Sequence, residues 1–248
     1  AMGLSYRVSK SETKKVFVSK NCHPQTIDVI KTRAEPLGLE VIVGDEDLDI
    51  KEEIICGIIQ YPGTLGDIKD PSEAISKIHK HSGKAVLVCD LLALAKLKTP
   101  AELGADIAVG SSQRFGIPMG YGGPHAAFFA TKDEYKRSMP GRIVGVSVDR
   151  HGKKAYRLAL QTREQHIRRD KATSNICTAQ ALLAIVSAAY AVYHGPKGIK
   201  KISESVSQLT KNFADKLKQS GYELYSDHFF DTVTVKTFDK TDKIYKNA

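Results

Sequence analysis

Short apolar runs alternate with longer amphipathic stretches along the 248 residues of the chain. The apolar runs predict strands, because runs of this length bounded by turn residues are typical of buried strands. We expect strands at 16–18, 41–43, 54–59, 85–89, 107–109, 126–130 and 232–237. The run at 85–89 is apolar throughout, as expected of a strand that helices cover on both faces.

The amphipathic stretches predict helices between these strands. We expect a capped helix over 21–34 with Pro24 near its first turn, and a helix over 71–81 that Gly83 ends. A long apolar helix over 175–194 and a more polar one over 199–219 follow. Strands that alternate with helices predict an α/β fold with a mostly parallel mixed sheet between helices. Residues 1–220 are expected to form one large domain, with a linker and the first strand of a small domain in 221–248.

Composition excludes several other classes of protein. Hydrophobic residues make up 42% of the chain, which indicates a folded core. No apolar run approaches the roughly 20 residues that cross a bilayer, so we expect no membrane partner. The cysteines have no paired metal-binding spacing, and their scatter indicates a reducing compartment. They stand at Cys22, Cys56, Cys89 and Cys177.

A glycine-rich segment at 110–125 lies between the predicted strands 107–109 and 126–130. In α/β folds, ligands bind at the ends of strands. The backbone amides of Gly122 and Gly123 are candidates to hold a phosphate group without side chains. The alternative is a tight turn that the sheet topology demands. No G-x-G-x-x-G or G-x-x-x-x-G-K pattern follows a strand, so a nucleotide site has little support.

Three long runs of sequence, at 21–26, 111–129 and 162–183, closely resemble the glycine decarboxylase P-protein family of the glycine cleavage system. The resemblance extends over about 1–237 and corresponds to the middle of the amino-terminal half of that family. It implies that the chain is an excised piece of a longer protein. It also implies the large domain of a fold type I pyridoxal-phosphate-dependent transferase, with a seven-stranded sheet.

The resemblance implies roles for two residues. Asp90, after strand 85–89, takes the position that faces the pyridine nitrogen of the cofactor, and Gln113 takes the position of the Schiff-base lysine. A carboxamide is not a nucleophile and cannot form that bond. This half is therefore expected to be non-catalytic and structural, with pyridoxal phosphate in the full enzyme and none bound by this chain. The alternative for Asp90 is a strand-end residue that caps the next turn or pairs locally.

For the full protein, the resemblance implies glycine dehydrogenase (aminomethyl-transferring, decarboxylating). Such an enzyme decarboxylates glycine and passes the aminomethyl group to the lipoyl arm of the H-protein, with the cofactor as electron sink. The implied partners are the catalytic half or subunit and the H-protein. The implied location is the bacterial cytoplasm or the mitochondrial matrix. The competing class is a stand-alone binding protein with a degenerate aminotransferase-like fold, and the length of the natural gene distinguishes the two.

The net charge of +9 is concentrated in a basic belt at 132–171, where twelve Lys and Arg face five Asp and Glu. This belt is interpreted as a solvated surface or as a docking surface for an acidic protein, with Arg163, Arg168 and Arg169 as candidate contacts. Few aromatic residues and no recognition-helix motif accompany it, so a nucleic-acid partner is not expected. Cys177 follows a predicted helix cap and is expected to be the most reactive thiol. A buried structural cysteine is the alternative.

Overall fold

The computed structural model describes residues 1–160, 165–172 and 179–247. Six strands in these ranges form one sheet in the order β2-β1-β3-β4-β5-β6. All neighbours are parallel except β6, which runs antiparallel to β5. The strands are β1 (Lys15–Ser19), β2 (Glu40–Gly44), β3 (Cys56–Tyr61), β4 (Lys84–Cys89), β5 (Ile107–Ser111) and β6 (Ala127–Thr131). The expected mostly parallel mixed sheet is therefore confirmed, and each of these strands overlaps a predicted run.

Helices join or follow these strands, and none in the described ranges combines the length and apolarity needed to cross a membrane. Their bounds are α1 (Met2–Val8), α2 (Pro24–Ala34), α3 (Ser72–Lys80), a short α4 (Gln165–Arg168), α5 (Ala181–Gln219) and α6 (Thr241–Asn247).

Two helix ends differ from the sequence prediction. The expected start of α2 at residue 21 is wrong, because the Asn21 side-chain amide donates to Glu46 Oε1 over 3.0 Å and the helix begins at Pro24. The turn after α3 is made by Ser82, with φ 62°, instead of the predicted Gly83. Ser82 thus adopts a left-handed conformation that usually favours glycine.

Helix α5 contains the break that the sequence predicted between 194 and 199. Gly195 has φ 61° and ψ 177°, and Pro196 follows it. Proline has no amide hydrogen to donate to the preceding turn, so the hydrogen-bond ladder is interrupted here. The chain therefore forms two helical segments joined at Gly195. The predicted start at 175 lies outside the described residues.

A β-hairpin that the sequence analysis did not predict follows β6. Its strands β7 (Ile143–Val148) and β8 (Lys154–Leu160) pair antiparallel in a separate two-stranded sheet. The Asp149 carboxylate closes the turn by accepting the amides of His151 and Lys153 over 2.8 and 2.9 Å. Gly152 supplies a φ of 74° in the same turn.

Both faces of the main sheet are packed against helices. On one face, Val16, Val18, Ile58, Val86 and Ile107 contact side chains of α1 and α2. On the other face, side chains of α3 complete a second cluster around Phe17, Ile59, Leu87 and Cys89. This arrangement explains why β3 is buried at every position.

The segment after α5 packs back onto the sheet domain. Strands β9 (Glu223–Leu224) and β10 (Val235–Lys236) pair antiparallel. Between them, Ile68 N donates to His228 O over 2.8 Å, and Phe230 is buried against Leu92, Ala93 and α5. The predicted strand at 232–237 is thus reduced to β10. The predicted domain division at residue 220 remains a prediction.

Candidate functional site

Asp90 lies directly after β4 and organises the turn that follows. Its Oδ1 accepts the backbone amides of Leu92 and Ala93 over 2.7 and 3.1 Å. Its own amide donates to Tyr61 O over 3.3 Å, so the residue also lies against the end of β3. One carboxylate oxygen of Asp90 is therefore engaged by its own backbone turn, and only Oδ2 faces the adjacent loop.

Arg114 binds that second oxygen. The guanidinium Nη1 lies 2.9 Å from Asp90 Oδ2 and 2.6 Å from Asp231 Oδ2. The same group lies 6.0 Å from the centre of the Phe230 ring, which is buried. All three charged side chains are less than a third exposed, so solvent screens their attraction only in part. Sequence reasoning missed this bridge.

Gln113 is turned back onto its own loop. Its Nε2 donates to Ile117 O over 2.9 Å, and its backbone amide donates to Ser111 Oγ over 3.1 Å. Helix α5 holds the same loop, because Ser187 Oγ lies 3.0 Å from Ser112 Oγ and Tyr190 contacts the Phe115 ring. A local hydrogen bond thus holds the Gln113 side chain against its own loop.

The glycines at the tip of the loop face away from the protein. A Cβ built at Gly122 or Gly123 would have no neighbour within 4 Å. Tyr121, which precedes Gly122, is fully exposed and has a φ of 54°. Gly122 has φ 95°, a conformation that favours glycine. A side chain at either position would thus meet open space, and the predicted phosphate role of these two glycines remains a prediction.

A small cavity of about 80 Å³ lies beside Asp90. His23 lines it, and its Nδ1 lies 3.0 Å from Thr64 Oγ1. The cavity lies between the ends of β3 and β4 and the segment that carries Phe230. Pockets for cofactor-sized ligands have volumes of roughly 300–1,000 Å³. The remaining lining residues are Gln60, Pro62, Gly63, Gly66, Phe230, Asp231 and Thr232.

A wider cavity of about 620 Å³ opens on the sheet face that α1 and α2 cover. Its floor is formed by Ile58, Val86, Val88 and Val109, and Arg33 is the only ionisable side chain in its lining. The polar side chains in this lining are those of Thr26, Thr32 and Arg33, and no carboxylate, histidine or cysteine is among them. In the described part of the chain, no group of His, Cys, Asp and Glu residues is arranged to hold a metal ion.

The structure describes only some of the predicted docking residues and thiols. Arg168 and Arg169 are exposed, and Arg169 has φ 52°. Arg163 and Cys177 lie outside the described residues, so their predicted roles remain predictions. The described cysteines, Cys22, Cys56 and Cys89, are buried, and burial raises the pKa of each thiol to about 12.

Sequence comparison assigns this architecture to a family. The family model described as the glycine cleavage system P-protein matches residues 1–248. The chain belongs to the glycine cleavage system P-protein family. The P-protein chain is 94% identical over its whole length to glycine dehydrogenase (decarboxylating) of Pelagibacter ubique (strain HTCC1062). It is 59% identical over 95% of its length to the protein of that name from Sinorhizobium medicae (strain WSM419). It spans about a quarter of each of these relatives, 26% and 25%.

Solved structures give the same assignment. The P-protein chain superposes with a TM-score of 0.84 and 34% identity on a crystal structure of glycine decarboxylase (P-protein) in inhibitor-bound form. That match covers 92% of this chain and 54% of the other. A cysteine desulfurase from Thermococcus onnurineus NA1 matches with a TM-score of 0.60 at 15% identity, over 99% of this chain and 63% of its own. Such low identity shows the fold alone, which is that of fold type I pyridoxal phosphate enzymes.

Proposed function

We propose that residues 1–248 form a structural, non-catalytic half-domain of a glycine dehydrogenase (decarboxylating). The whole protein would decarboxylate glycine and transfer the aminomethyl group to the lipoyl arm of the H-protein. The catalytic half would lie in the remaining polypeptide or in a separate subunit, and it would hold pyridoxal phosphate. The bacterial relatives favour a cytoplasmic location over the mitochondrial matrix.

The observation that carries this proposal is the bridge of Arg114 between Asp90 and Asp231. An aspartate that faced a pyridine nitrogen would need a free carboxylate oxygen directed at the ring. Asp90 instead gives one oxygen to two backbone amides and the other to a guanidinium. A charge-assisted bond of this kind is stronger than a neutral one, so a cofactor would have to displace a cation that the protein itself supplies.

Two further features argue against a cofactor in this half. The side chain at 113 is an amide, and an amide has no nucleophilic nitrogen for a Schiff base. The cavity beside Asp90 has a volume of about 80 Å³, well below that of a cofactor pocket. The residues present therefore do not fit pyridoxal phosphate, and we assign no chemical step to this half.

Borohydride reduction of the full-length protein followed by peptide mapping tests the proposal. Reduction fixes a Schiff base on its lysine, and we expect the modified lysine outside residues 1–248. The separately purified chain is expected to be colourless and to give no preferred site of modification. One stoichiometric modified lysine within residues 1–248 would overturn the assignment.

We also propose that the basic belt at 132–171 serves the encounter with the H-protein. A basic face raises the association rate of an acidic partner, and salt screens that benefit. Arg168 and Arg169 are exposed on this belt, and Arg163 belongs to the same stretch of sequence. Charge reversal at Arg169 in the full enzyme is expected to slow association with the H-protein and flatten its salt dependence.

A matched reversal at Lys211, which is exposed on α5 outside the belt, is expected to change the association rate little. Both variants should keep the melting temperature of the parent. An unchanged salt slope with a large fall in melting temperature for Arg169→Glu would make the belt a structural feature and remove the docking proposal.

A further inference from the structure

The β7–β8 hairpin presents its apolar side chains to solvent. Val144, Val146, Val148, Tyr156 and Leu158 are between 47% and 69% exposed. A solvent-facing hairpin surface in a soluble protein normally carries polar residues, because alternate positions of a strand divide between core and water. Here apolar residues occupy the exposed positions of the strands. This surface is therefore poorly suited to contact with water.

The register places these residues on one face of the hairpin. Val144 pairs with Leu158, Val146 with Tyr156, and Val148 with Lys154. Alternate residues of a strand share a face, so the apolar pairs form one continuous strip. The opposite face carries exposed Arg157, half-buried Ile143 and three small residues that are also half-buried. The small residues are Gly145, Ser147 and Ala155.

The hairpin forms a sheet of its own, separate from the main sheet. Within the described ranges, β7 and β8 pack mainly against each other. An isolated two-stranded hairpin is marginally stable in water, and three strands or packing against another element are needed for independent stability. A contiguous exposed apolar patch of this kind marks a protein–protein contact. The strip therefore requires a partner that supplies packing.

The charged residues around the apolar strip indicate what kind of partner can bind it. The hairpin and its turn carry basic residues and one acidic residue, Asp149. A second copy would bring the same basic surface and the same net charge of +9, so like charges would oppose its approach. A complementary partner has an apolar centre flanked by carboxylates. The basic residues are Arg142, Arg150, Lys153, Lys154 and Arg157.

We propose that the outward face of the hairpin is a docking surface for the other half of the full-length P-protein. The chain covers only 26% of its 94% identical relative, so most of the polypeptide of such a protein lies outside residues 1–248. That polypeptide is part of the same protein, so its binding to the strip does not require two copies of this basic surface to meet. The inference rests on the proposed function only in taking this chain as part of the larger protein. It does not depend on which half binds the cofactor.

Photocrosslinking in the full-length protein tests this proposal. A benzophenone amino acid replaces Val146 on the apolar face or Ser147 on the opposite face, which serves as the matched control. The crosslinked peptides are identified by mass spectrometry, and mixed isotope labelling separates crosslinks within one polypeptide from those between copies. We expect position 146 to crosslink to peptides of the carboxy-terminal half of the full-length protein, with a yield several-fold above that of position 147. Crosslinks confined to the rest of the amino-terminal half would overturn the proposal.

Other outcomes would overturn the proposal. Crosslinks from position 146 to residues 1–248 of another copy would assign the face to self-association. Crosslinks that appear only after addition of the H-protein would assign it to that carrier. Absence of protein crosslinks, together with rapid hydroxyl-radical oxidation of Tyr156 in the full-length protein, would show that the face remains in solvent. A modified lysine within residues 1–248 in the borohydride experiment would leave the crosslinking result unchanged.

Discussion

Arg114 neutralises two carboxylates and covers an aromatic ring with a single side chain. Its partners come from two parts of the chain, the end of β4 and the segment after β9. Because each carboxylate is mostly buried, removal of the cation would leave two negative charges close together in a poorly solvated place. The bridge therefore fixes the position of the segment at 228–232 against the sheet domain.

Replacement of Arg114 by alanine is expected to destabilise this region by about 2 kcal/mol, because it leaves Asp90 and Asp231 without their shared partner. Hydrogen exchange of the Leu92 and Ala93 amides in the full-length protein measures the local free energy of opening. Lys98→Ala, which removes an exposed ion pair with Asp70, is the control and should have a much smaller effect. Equal protection in the two variants would contradict the bridging role.

At the residue scale, the sequence indicated some positions and missed others for a physical reason. Asp90 was identified because the family resemblance implies an aspartate at the end of this strand, and its position after the strand also indicated the capping alternative. The hydrogen bonds that hold Gln113 also join it to residues close to it in the sequence, Ser111 and Ile117. The pairing of Arg114 with Asp231 joins distant parts of the chain, and no local pattern encodes such a contact.

At the scale of elements, Asp106 joins four parts of the sheet domain. It precedes β5, and its buried carboxylate accepts the Ala85 amide and contacts His79 Nε2, both over 2.8 Å, while Lys132 Nζ lies 2.6 Å away. Burial favours the neutral acid, but the bonds from Lys132, Ala85 and His79 outweigh it and lower the pKa of Asp106. The ionised carboxylate is thus the form that ties α3, β4, β5 and β6 together.

A lowered pKa in the folded state means that the unfolded chain binds more protons between the two pKa values. The stabilisation by Asp106 is therefore complete above its unfolded pKa of about 3.9 and is lost as the pH falls through the folded pKa. Asp106→Asn is expected to cost about 2 kcal/mol near pH 7 and to make the acid loss of stability shallower. Melting temperatures from pH 3 to pH 7 check this, with exposed Asp133→Asn as the control. Parallel curves for Asp106→Asn and the parent would refute it.

Gly66 controls how closely the carboxy-terminal segment approaches the sheet domain. Its φ is 85°, and a Cβ there would lie 2.2 Å from Thr232 O. Gly66→Ala is expected to combine backbone strain of about 1–2 kcal/mol with displacement of the segment at 228–232. Gly152→Ala is the matched control, because its φ is 74° and its Cβ would meet nothing within 4 Å.

Exchange of the Ile68 amide, which donates to His228 O, reports this displacement in the full-length protein. We expect Gly66→Ala to accelerate it markedly and Gly152→Ala to leave it near the parent rate. If Gly66→Ala also left this exchange near the parent rate, the close approach at Thr232 would be unimportant.

Strands were predictable from the sequence where burial determined the order of their apolar residues. The six strands of the main sheet lie within or beside apolar runs, because burial between helices imposes a continuous apolar stretch. The hairpin was missed although Val144, Val146 and Val148 alternate with less bulky residues. Its apolar positions face outward, so they contribute to no core in this chain, and its turn lacks a two-residue hairpin signal.

At the scale of the whole molecule, the labelling rates of the described thiols report global unfolding. With a pKa of about 12, Cys22, Cys56 and Cys89 carry a thiolate fraction of about one in 10⁵ at pH 7, and they are buried as well. We expect iodoacetamide to modify them only after unfolding. Cys177 is expected to react first, and peptide mapping of the full-length protein during a labelling time course checks the order. Fast native labelling of Cys56 would contradict the packing of β3.

The Arg114 bridge also constrains how this half can evolve. A lysine introduced at position 113 would stand beside the arginine, whose charge already satisfies Asp90, so under the proposed role the new amine alone would create no cofactor site. Removal of the arginine first would leave two carboxylates unpaired and weaken the fold. Each single step back toward a catalytic site is therefore neutral or harmful to the protein. Under the proposed non-catalytic role, selection for stability alone would therefore retain Arg114 and keep this region without a cofactor site.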